Sequence, residues 1–319
     1  MAKKSKPRAG SLQYWPRKRA RKEIPSVNWL ALQEKNPQAR ILGFIGYKVG
    51  MDSAVVKDNT ANSMTKDKKI PIAVSILEIP SMKIFSIRFY KNNLVVSEVL
   101  AENIDKEMKK ILKIPKQKQG KKIEEFKDYD DIRVIVYSSI KRTDIKKTPD
   151  IAEVGLSGKL EEKINFVKEH LGKDINATEV LKQGQLIDVR GLSKGHGFSG
   201  AVKRFGIGLR SHKAEKGRRR PGSLGPWHPS YVTFRTPMAG RMGMFTRIQY
   251  NSKIISLGKI QEKNINPKQG FHKFGNIKSD YLIVEGSIPG AKKRVVLLTF
   301  PLRKTKSQSK KNYEFIKLV

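Results

Sequence analysis

Few residues of this chain have the types and spacing that catalysis requires. Ser199 lies in Gly197-Phe-Ser-Gly-Ala, part of the nucleophile elbow GxSxG, but the motif's second glycine is missing and the next acid is Glu215. The segment nearest to a phosphate-binding loop is Gly155-Leu-Ser-Gly-Lys, yet a P-loop needs four residues between its glycines. A helix cap explains that segment better. We therefore predict no catalytic residues and no enzyme.

Metal and cofactor chemistry finds no better support. The chain has no cysteine, which excludes disulfides, thiolate zinc sites and a cysteine nucleophile. No histidine has a second histidine or a carboxylate at metal-ligand spacing. Neighbouring carboxylates such as Asp130 and Asp131 are interpreted as a solvated face. We expect no metal, no cofactor and no small-molecule substrate.

The chemistry that the sequence does favour is binding to a polyanion. The central segment, residues 194–247, has twelve Lys or Arg and one acid among its 54 residues. Ten glycines and four prolines interrupt it, and no helical or strand period runs through it. Such a segment cannot bury enough apolar surface to order itself in water. Because arginine neutralises phosphates and aromatic rings stack on unpaired bases, we expect RNA to order it.

A mobile linker is the alternative interpretation of the central segment. A linker predicts few aromatic or large apolar residues, whereas this segment contains six aromatics and three methionines. Pro226 and Pro229 restrict the backbone around Trp227, which favours a presented side chain.

The N-terminal arm, residues 1–38, has nine basic residues and one acid within its first 26 positions, together with Tyr14 and Trp15. A disordered basic tail is one interpretation, and threading into folded RNA is the one we favour. The predicted RNA contacts of the arm and the central segment are Arg8, Trp15, Arg17, Lys18, Arg19, Lys194, His196, Lys203, Arg204, Arg210, His212, Lys213, Arg218, Arg219, Arg220, Trp227, His228, Arg235, Arg241 and Arg247.

Composition points to the same class of partner. The chain has 319 residues, 38% of them hydrophobic, and a net charge of +37, so it can bury a core but repels itself unless it is neutralised. Nucleic acid or an anionic membrane surface would neutralise it. Residues 95–185 carry a net charge of only +2, so the flanking segments hold the excess positive charge. This uneven distribution is typical of a binding surface for a polyanion. With no long apolar run and no hydrophobic segment behind the N-terminal cations, we expect a soluble, cytoplasmic protein without a membrane partner.

The elements that must position these residues are predicted from periodicity. Glycine-punctuated apolar runs after residue 39, with strands at 70–79 and 85–90, begin a β-barrel or sandwich. A helix should run from Ser97 to a stop at Pro115, followed by a strand at 131–138. A second helix should have Ser157 as its N-cap and Gly172 just past its end. Asn176 with Glu179 should cap a short helix that ends near Gly184. Further strands are expected at 185–191, 253–257, 280–286 and 294–300.

The fold class is therefore mixed β and α+β, a β core with an inserted α/β domain, a long central loop and a basic arm. The predicted organisation is the arm (1–38), the first part of the barrel (39–95), the inserted α/β domain (96–184), a return to the barrel (185–204), a central RNA-penetrating loop (205–245), barrel closure (246–300) and a basic tail (301–319).

Several motifs resemble one protein family. They are GSLQYWPRKRA at Gly10, LGFIGYKVGM at Leu42, KGHGFSGAVKRFG at Lys194, LGPWHPS at Leu224, AGRMG at Ala239, INPKQGFHKFG at Ile265 and SDYLIVEGSIPGAKKRVV at Ser279. Together they resemble the universal large-subunit ribosomal protein numbered three in its archaeal and eukaryotic form, and the last looks like that family's closing hairpin.

This resemblance implies a translation-protein-type barrel whose arm and central loop enter the large-subunit RNA. It also implies early assembly, neighbouring large-subunit ribosomal proteins as partners, and a location in the ribosome. In the family the central loop reaches towards the peptidyl transferase centre with a tryptophan at its tip, and Trp227 matches that tryptophan. A histidine upstream of the tip is modified in some lineages, and His212 is the candidate.

Two alternatives remain at the level of sequence. One is an RNA-modifying or translation-factor enzyme on a related barrel, which requires a nucleotide or metal site. The other is a DNA-compacting basic protein, whose binding would ignore the shape of RNA.

Overall fold

The computed structural model describes residues 14–38, 40–114, 123, 126 and 128–319. The chain forms two compact units. The loop unit consists of the described residues up to Glu23 together with Leu192–Thr246, and the sheet unit consists of Ile24–Gly191 with Arg247–Val319.

The elements are, in chain order, α1 (Trp29–Lys35), β1 (Arg40–Ile41), β2 (Gly43–Asp58), β3 (Lys69–Ile79), β4 (Met82–Lys91), β5 (Leu94–Leu100), β6 (Asp131–Ser138), β7 (Ile151–Ser157), α2 (Leu160–His170), α3 (Ala177–Val180), β8 (Leu186–Leu192), β9 (Phe198–Ser199), α4 (Ala201–Phe205), β10 (Gly240–Arg241), β11 (Thr246–Lys259), β12 (Asp280–Glu285), β13 (Val295–Thr299), α5 (Lys306–Lys310) and β14 (Tyr313–Leu318). Short 3-10 helices lie at Lys106–Lys110 and Ile140–Arg142.

The largest sheet closes on itself, which confirms the predicted barrel. Its strands follow the order β13-β8-β11-β12-β3-β2, and β13 returns to pair with β2. Ile45 of β2 lies opposite Leu297 of β13, and Leu77 of β3 opposite Leu282 of β12. All four side chains are buried, because apolar and β-branched runs here fill a closed interior. The strands predicted at 70–79, 185–191, 253–257, 280–286 and 294–300 all belong to this ring.

A second sheet has five strands in the order β1-β7-β6-β4-β5. The strand predicted at 131–138 is β6, with the same bounds. The strand predicted at 85–90 also forms, as part of β4, but its assignment to the barrel was wrong because β4 pairs with β5 and β6. Gly155 of β7 packs against α1 so closely that a Cβ there would lie 2.8 Å from the Cβ of Trp29. The segment 155–159, the nearest in sequence to a phosphate-binding loop, therefore forms the end of β7 and the bend after it, and its Gly155 packs against Trp29.

The helix predicted from Ser97 to Pro115 is wrong. The chain forms β5 up to Leu100 and then a single 3-10 turn, whose Met108 is buried beside Phe85 and Tyr137. The apolar residues of this stretch fit a helix and a strand equally well. Pairing with β4 decides the conformation in favour of the strand. Pro115 itself lies outside the described residues.

The expected helix caps also differ from the structure. Ser157 ends β7 and donates its hydroxyl to the carbonyl of Gln38, so the N-cap of α2 is Lys159. Asn176 does precede α3 and bonds the carboxylate of Glu179 at 2.9 Å, but α3 ends at Val180, well before Gly184.

Two expectations about the end of the chain are corrected as well. β12 and β13 do not form a closing hairpin, because β12 pairs with β3 and β11 while β13 pairs with β2 and β8. The basic tail contains a strand, β14, whose Phe315 pairs with Val56 of β2.

The predicted solvated face at Asp130 and Asp131 is correct for Asp130, which is exposed, and wrong for Asp131. Asp131 is buried and receives hydrogen bonds from Lys163 Nζ at 2.6 Å and from Gln33 Nε2 at 3.1 Å. An ionised carboxylate at this depth requires such partners, and Arg133 adds a third at 3.2 Å. Asp131 therefore links α1, α2 and the second sheet.

No helix in the described part of the chain has the length and apolar character needed to cross a membrane.

Candidate nucleic-acid interface

The central segment begins and ends on an antiparallel stem. Ser199 of β9 lies opposite Gly240 of β10, and the ladder continues with His196 N donating to the Met242 carbonyl at 2.9 Å. Gly243 has a φ of +80°, and a Cβ at this position would lie 1.9 Å from the carbonyl oxygen of Lys194. Only glycine allows the two chains to approach this closely. The stem therefore fixes where the cationic residues between its strands begin and end.

Arg204 holds the arm and the two ends of the loop together. Its guanidinium donates to the carbonyls of Arg241 at 3.1 Å, Met238 at 3.0 Å and Arg17 at 3.5 Å. These carbonyls come from two segments far apart in sequence, around residue 17 and at 238–241, and a planar guanidinium with five N–H donors can bond all three. Burial lowers the pKa of Arg204, but an arginine retains its charge at neutral pH.

Aromatic rings pack around this guanidinium. Trp15 stacks on Phe205 at 6.3 Å between ring centroids, and Phe234 meets Trp15 edge-on at 5.7 Å. Arg17 lies over the Phe205 ring at 4.4 Å. Rings in these arrangements attract each other and attract cations beyond their burial alone. The cluster joins three parts of the loop unit at its surface, where Trp15 and Phe205 are half-buried and Phe234 is 59% exposed.

The arginine-rich stretch folds back on itself in a turn. Arg210 N donates to the Arg218 carbonyl at 3.1 Å, and the Arg210 guanidinium donates to the Pro221 carbonyl at 2.7 Å. Arg219 and Arg220 lie exposed beside this turn. The backbone thus holds several guanidinium groups outward within a short distance, which suits contact with consecutive phosphates.

Trp227 is the most exposed tryptophan described, with 85% of its surface accessible. It lines an open pocket of about 360 Å³ whose walls are all local, formed by residues 224–227 and 229–232. Tyr231 is 70% exposed beside it. Because both aromatic rings present flat faces, the pocket can receive an unpaired base by stacking.

The structure leaves most of the predicted contacts accessible. Sixteen are exposed: Lys18, Arg19, Lys194, His196, Lys203, Arg210, His212, Lys213, Arg218, Arg219, Arg220, Trp227, His228, Arg235, Arg241 and Arg247. Trp15, Arg17 and Arg204 are half-buried and lie together in the aromatic cluster. Arg8 lies outside the described residues.

Sequence reasoning missed the residues that shape this surface. Phe205 and Phe234 were counted as aromatics among the cations, but they form the floor under Trp15. Gly240 was also missed, although a Cβ there would lie 2.8 Å from Arg204 Nη1. The available signal was the repeated glycine in Ala239-Gly-Arg-Met-Gly, since glycine inside a strand marks a close approach.

Ser199 and His170 are of residue types that could act in catalysis or bind a metal, and both make ordinary packing and hydrogen-bond contacts. Ser199 is buried, and its hydroxyl donates to the His196 carbonyl at 3.4 Å. His170 stacks on Phe166 at 4.2 Å between ring centroids. Among the described residues, no group of three or more His, Asp or Glu is arranged to hold a metal ion.

Comparison with known proteins gives one consistent result. The sequence model of the family described as "Ribosomal protein L3" matches residues 1–318. A protein of Methanobrevibacter smithii named "Large ribosomal subunit protein uL3" is 39% identical over 318 residues, covering 95% of this chain and 94% of the relative. Proteins of the same name from Methanocaldococcus jannaschii and Pyrobaculum aerophilum are each 37% identical, over 94% of this chain and 92% of the relative. The chain belongs to the ribosomal protein L3 family.

Proposed function

We propose that this protein is a structural component of the large ribosomal subunit and that its loop unit binds large-subunit rRNA. The name shared by its relatives supports the location in that subunit. One observation supports the RNA contact most directly. The central segment contains twelve Lys or Arg and only one acid, Glu215, and most of these cations are exposed. A protein that keeps this charge at its surface gains free energy from a polyanion that neutralises it.

The two kinds of side chain in the loop unit have different roles in this proposal. Lys and Arg groups neutralise phosphates and release counterions, which gives affinity without sequence information. Trp227 and Tyr231 offer faces for unpaired bases, which gives a preference for folded RNA over duplex DNA. Exposed aromatics beside the cations therefore favour rRNA over the DNA-compacting alternative.

The finer parts of the proposal concern place and order. We propose that the arm and the loop at 205–245 penetrate the RNA, that Trp227 is the tip directed towards the peptidyl transferase centre, and that binding supports early assembly. The exposure of Trp227 and of His212 is compatible with these roles. Neighbouring large-subunit proteins are the other expected partners.

Membership of a ribosomal protein family argues against the enzyme alternative. The family and the names of the relatives identify a ribosomal protein, as expected from the missing catalytic motifs. Catalysis of peptide transfer would remain with the RNA.

The proposal is tested by binding of the full chain to a transcript of the large-subunit rRNA at graded salt. We expect tight binding, and the logarithm of the association constant should fall steeply with the logarithm of salt concentration. For R218Q/R219Q/R220Q this slope should be smaller by roughly 2, because three phosphate contacts are lost. The matched control is K147Q/K173Q/K182Q, which removes the same charge from exposed lysines of the nearly neutral stretch. Equal slopes for both variants, or binding to duplex DNA as tight as to the transcript, would overturn the proposal.

A further inference from the structure

A surface loop of the sheet unit, at 267–275, is closed by several hydrogen bonds. Asn266 donates to the Ile277 carbonyl at 3.0 Å and accepts from Ile277 N at 2.9 Å, which closes the loop at its base. Within it, Phe271 N donates to the Gly275 carbonyl at 2.9 Å. Gly270 has a φ of +71°, and a Cβ there would lie 2.8 Å from Asn276 Oδ1. The loop at 267–275 therefore has a defined conformation.

The turn at 289–293 packs on this loop and carries its own cations. Lys292 Nζ donates to the His272 carbonyl, and the Lys293 ammonium lies 5.9 Å from the centre of the Phe274 ring. Lys293 N donates to the Lys48 carbonyl at 2.7 Å, which ties the turn to the ring of strands. We name the two segments together the paired lysine loops.

Charge in the paired lysine loops is of one sign. Neither 263–279 nor 286–299 contains an acid. Lys268, Lys273 and Lys293 are exposed, whereas Lys278 at the border is paired with Asp144 at 2.6 Å. A solvated surface of a soluble protein normally mixes the two signs, so a rigid patch of like charge needs a counter-charge from outside.

Two of these lysines have an uncommon backbone conformation. Lys273 and Lys293 have φ values of 58° and 65°, in the left-handed region that favours glycine and asparagine. Side chains in this region persist only where the surrounding structure determines the conformation, and such residues concentrate at functional sites. Two of the three exposed lysines in the paired lysine loops are held in this way.

We propose that the paired lysine loops are a second RNA contact, on the sheet unit, in which Lys268, Lys273 and Lys293 bind phosphates of the large-subunit rRNA. The inference rests on the proposed function, since it assigns a further surface to the same partner. The contact reads the phosphate backbone, because ammonium groups are point charges without the planar fork that reads base edges.

An acidic protein is the competing occupant, and the surface favours RNA. Protein interfaces have an apolar or aromatic centre inside a polar rim. No large hydrophobic side chain is exposed between 263 and 294, a range that the structure describes completely. Phe274 is buried under the loop. A surface of cations on loops of defined backbone conformation, without an apolar centre, matches a phosphate backbone.

The test uses the full-length chain and a transcript of the large-subunit rRNA, with hydroxyl-radical footprinting and salt titration. We expect K268Q/K273Q/K293Q to lower the salt slope by about 2 and to expose a set of nucleotides different from the set exposed by R218Q/R219Q/R220Q. K147Q/K173Q/K182Q removes equal charge and should leave slope and footprint unchanged. The charge-retaining K268R/K273R/K293R should restore the slope, and circular dichroism during heating establishes that each variant is folded.

The outcomes separate this inference from the proposed function. If K268Q/K273Q/K293Q matches the unaltered chain while R218Q/R219Q/R220Q loses binding, the paired lysine loops are not an RNA contact and the proposed function stands. If binding to purified large-subunit proteins falls and binding to the transcript does not, the occupant is a protein and the inference is overturned. If no variant affects transcript binding, both proposals fail.

Discussion

Asp58 shows how a single carboxylate organises a long connection. It ends β2, and its side chain accepts hydrogen bonds from Thr60 N at 2.9 Å, Ser63 Oγ at 2.8 Å and Thr65 Oγ1 at 2.6 Å. Hydrogen bonds from Thr60, Thr65 and Ser63 hold the pKa of Asp58 far below its ordinary value of 3.8. The polar residues between β2 and β3 therefore serve to stabilise one charged group.

This gives a prediction for stability against pH. A lowered folded-state pKa adds stability that is present above the unfolded value near 3.8 and is lost as pH falls towards the folded value. We expect Asp58→Asn to lower the melting temperature at pH 7 and the difference from the unaltered chain to shrink below about pH 4. Thermal unfolding at several pH values measures this, with exposed Glu161→Gln as the control. A difference that is constant from pH 7 to pH 3 would contradict the assignment.

Trp227 is a residue whose expected role lies entirely outside the folding of the chain. Because 85% of its surface is exposed, Trp227→Ala should change the free energy of unfolding by no more than about 0.5 kcal/mol. We expect the same variant to weaken transcript binding and to alter tRNA binding or drug sensitivity of subunits that contain it. Buried Trp29→Ala is the opposite case and should cost about 3–5 kcal/mol. Subunits with unchanged peptidyl transfer, drug sensitivity and tRNA binding would refute the tip role.

At the scale of elements, the stem of the loop unit depends on one glycine. Gly243→Ala places a Cβ against the Lys194 carbonyl and forces alanine into the left-handed region, which should cost at least about 1–2 kcal/mol. Gly222→Ala is the matched control, since a Cβ there has no heavy atom within 4 Å and the backbone is not left-handed. We expect faster proteolytic cleavage between 205 and 245 in the first variant alone. Identical cleavage of both would mean that the stem does not limit opening.

The strands were predictable where one period dominated. β6 was predicted with its correct bounds because Ile132, Val134 and Val136 alternate without interruption. β5 was missed because its apolar residues fit a helix equally well. The neglected signal was Asn92-Asn93, both at positive φ, which forms the tight turn between β4 and β5. Two asparagines between β-branched runs favour such a hairpin turn, and tertiary pairing then decides the conformation.

The sequence predicts which residue types form the candidate site, but it does not predict how the residues contact one another. Exposure of Arg218, Arg219 and Arg220 follows from charge, because burying unpaired guanidinium groups is too costly. The cluster of Trp15, Phe205 and Phe234 joins three parts of the chain that no local period relates. The left-handed backbone at Lys273 and Lys293 is equally hard to predict from sequence, because lysine is not a residue type that this region favours.

At the scale of the whole molecule, the two units differ in what holds them together. The sheet unit has a continuous buried core that includes Phe44, Ile76 and Leu297, whereas most of the central segment is exposed. We expect limited proteolysis of the free protein to cut first between 205 and 245 and to leave the sheet unit resistant. Addition of the rRNA transcript should suppress those cuts, while duplex DNA of equal charge should protect less. Resistance without RNA would show that the loop unit is stable alone.

Closure of the strand ring also sets a condition on how the chain is made. β2 belongs to the first fifth of the sequence, yet its partners β13 and β14 come near the end, and Lys48 Nζ donates to the Ile288 carbonyl across 240 residues. During synthesis, every predicted RNA contact leaves the ribosome before Val295 does. A nascent chain interrupted before that residue has its cationic surface but keeps an open strand edge, which invites aggregation and degradation. We therefore expect only chains that include β13 to carry their RNA contacts on a closed ring of strands.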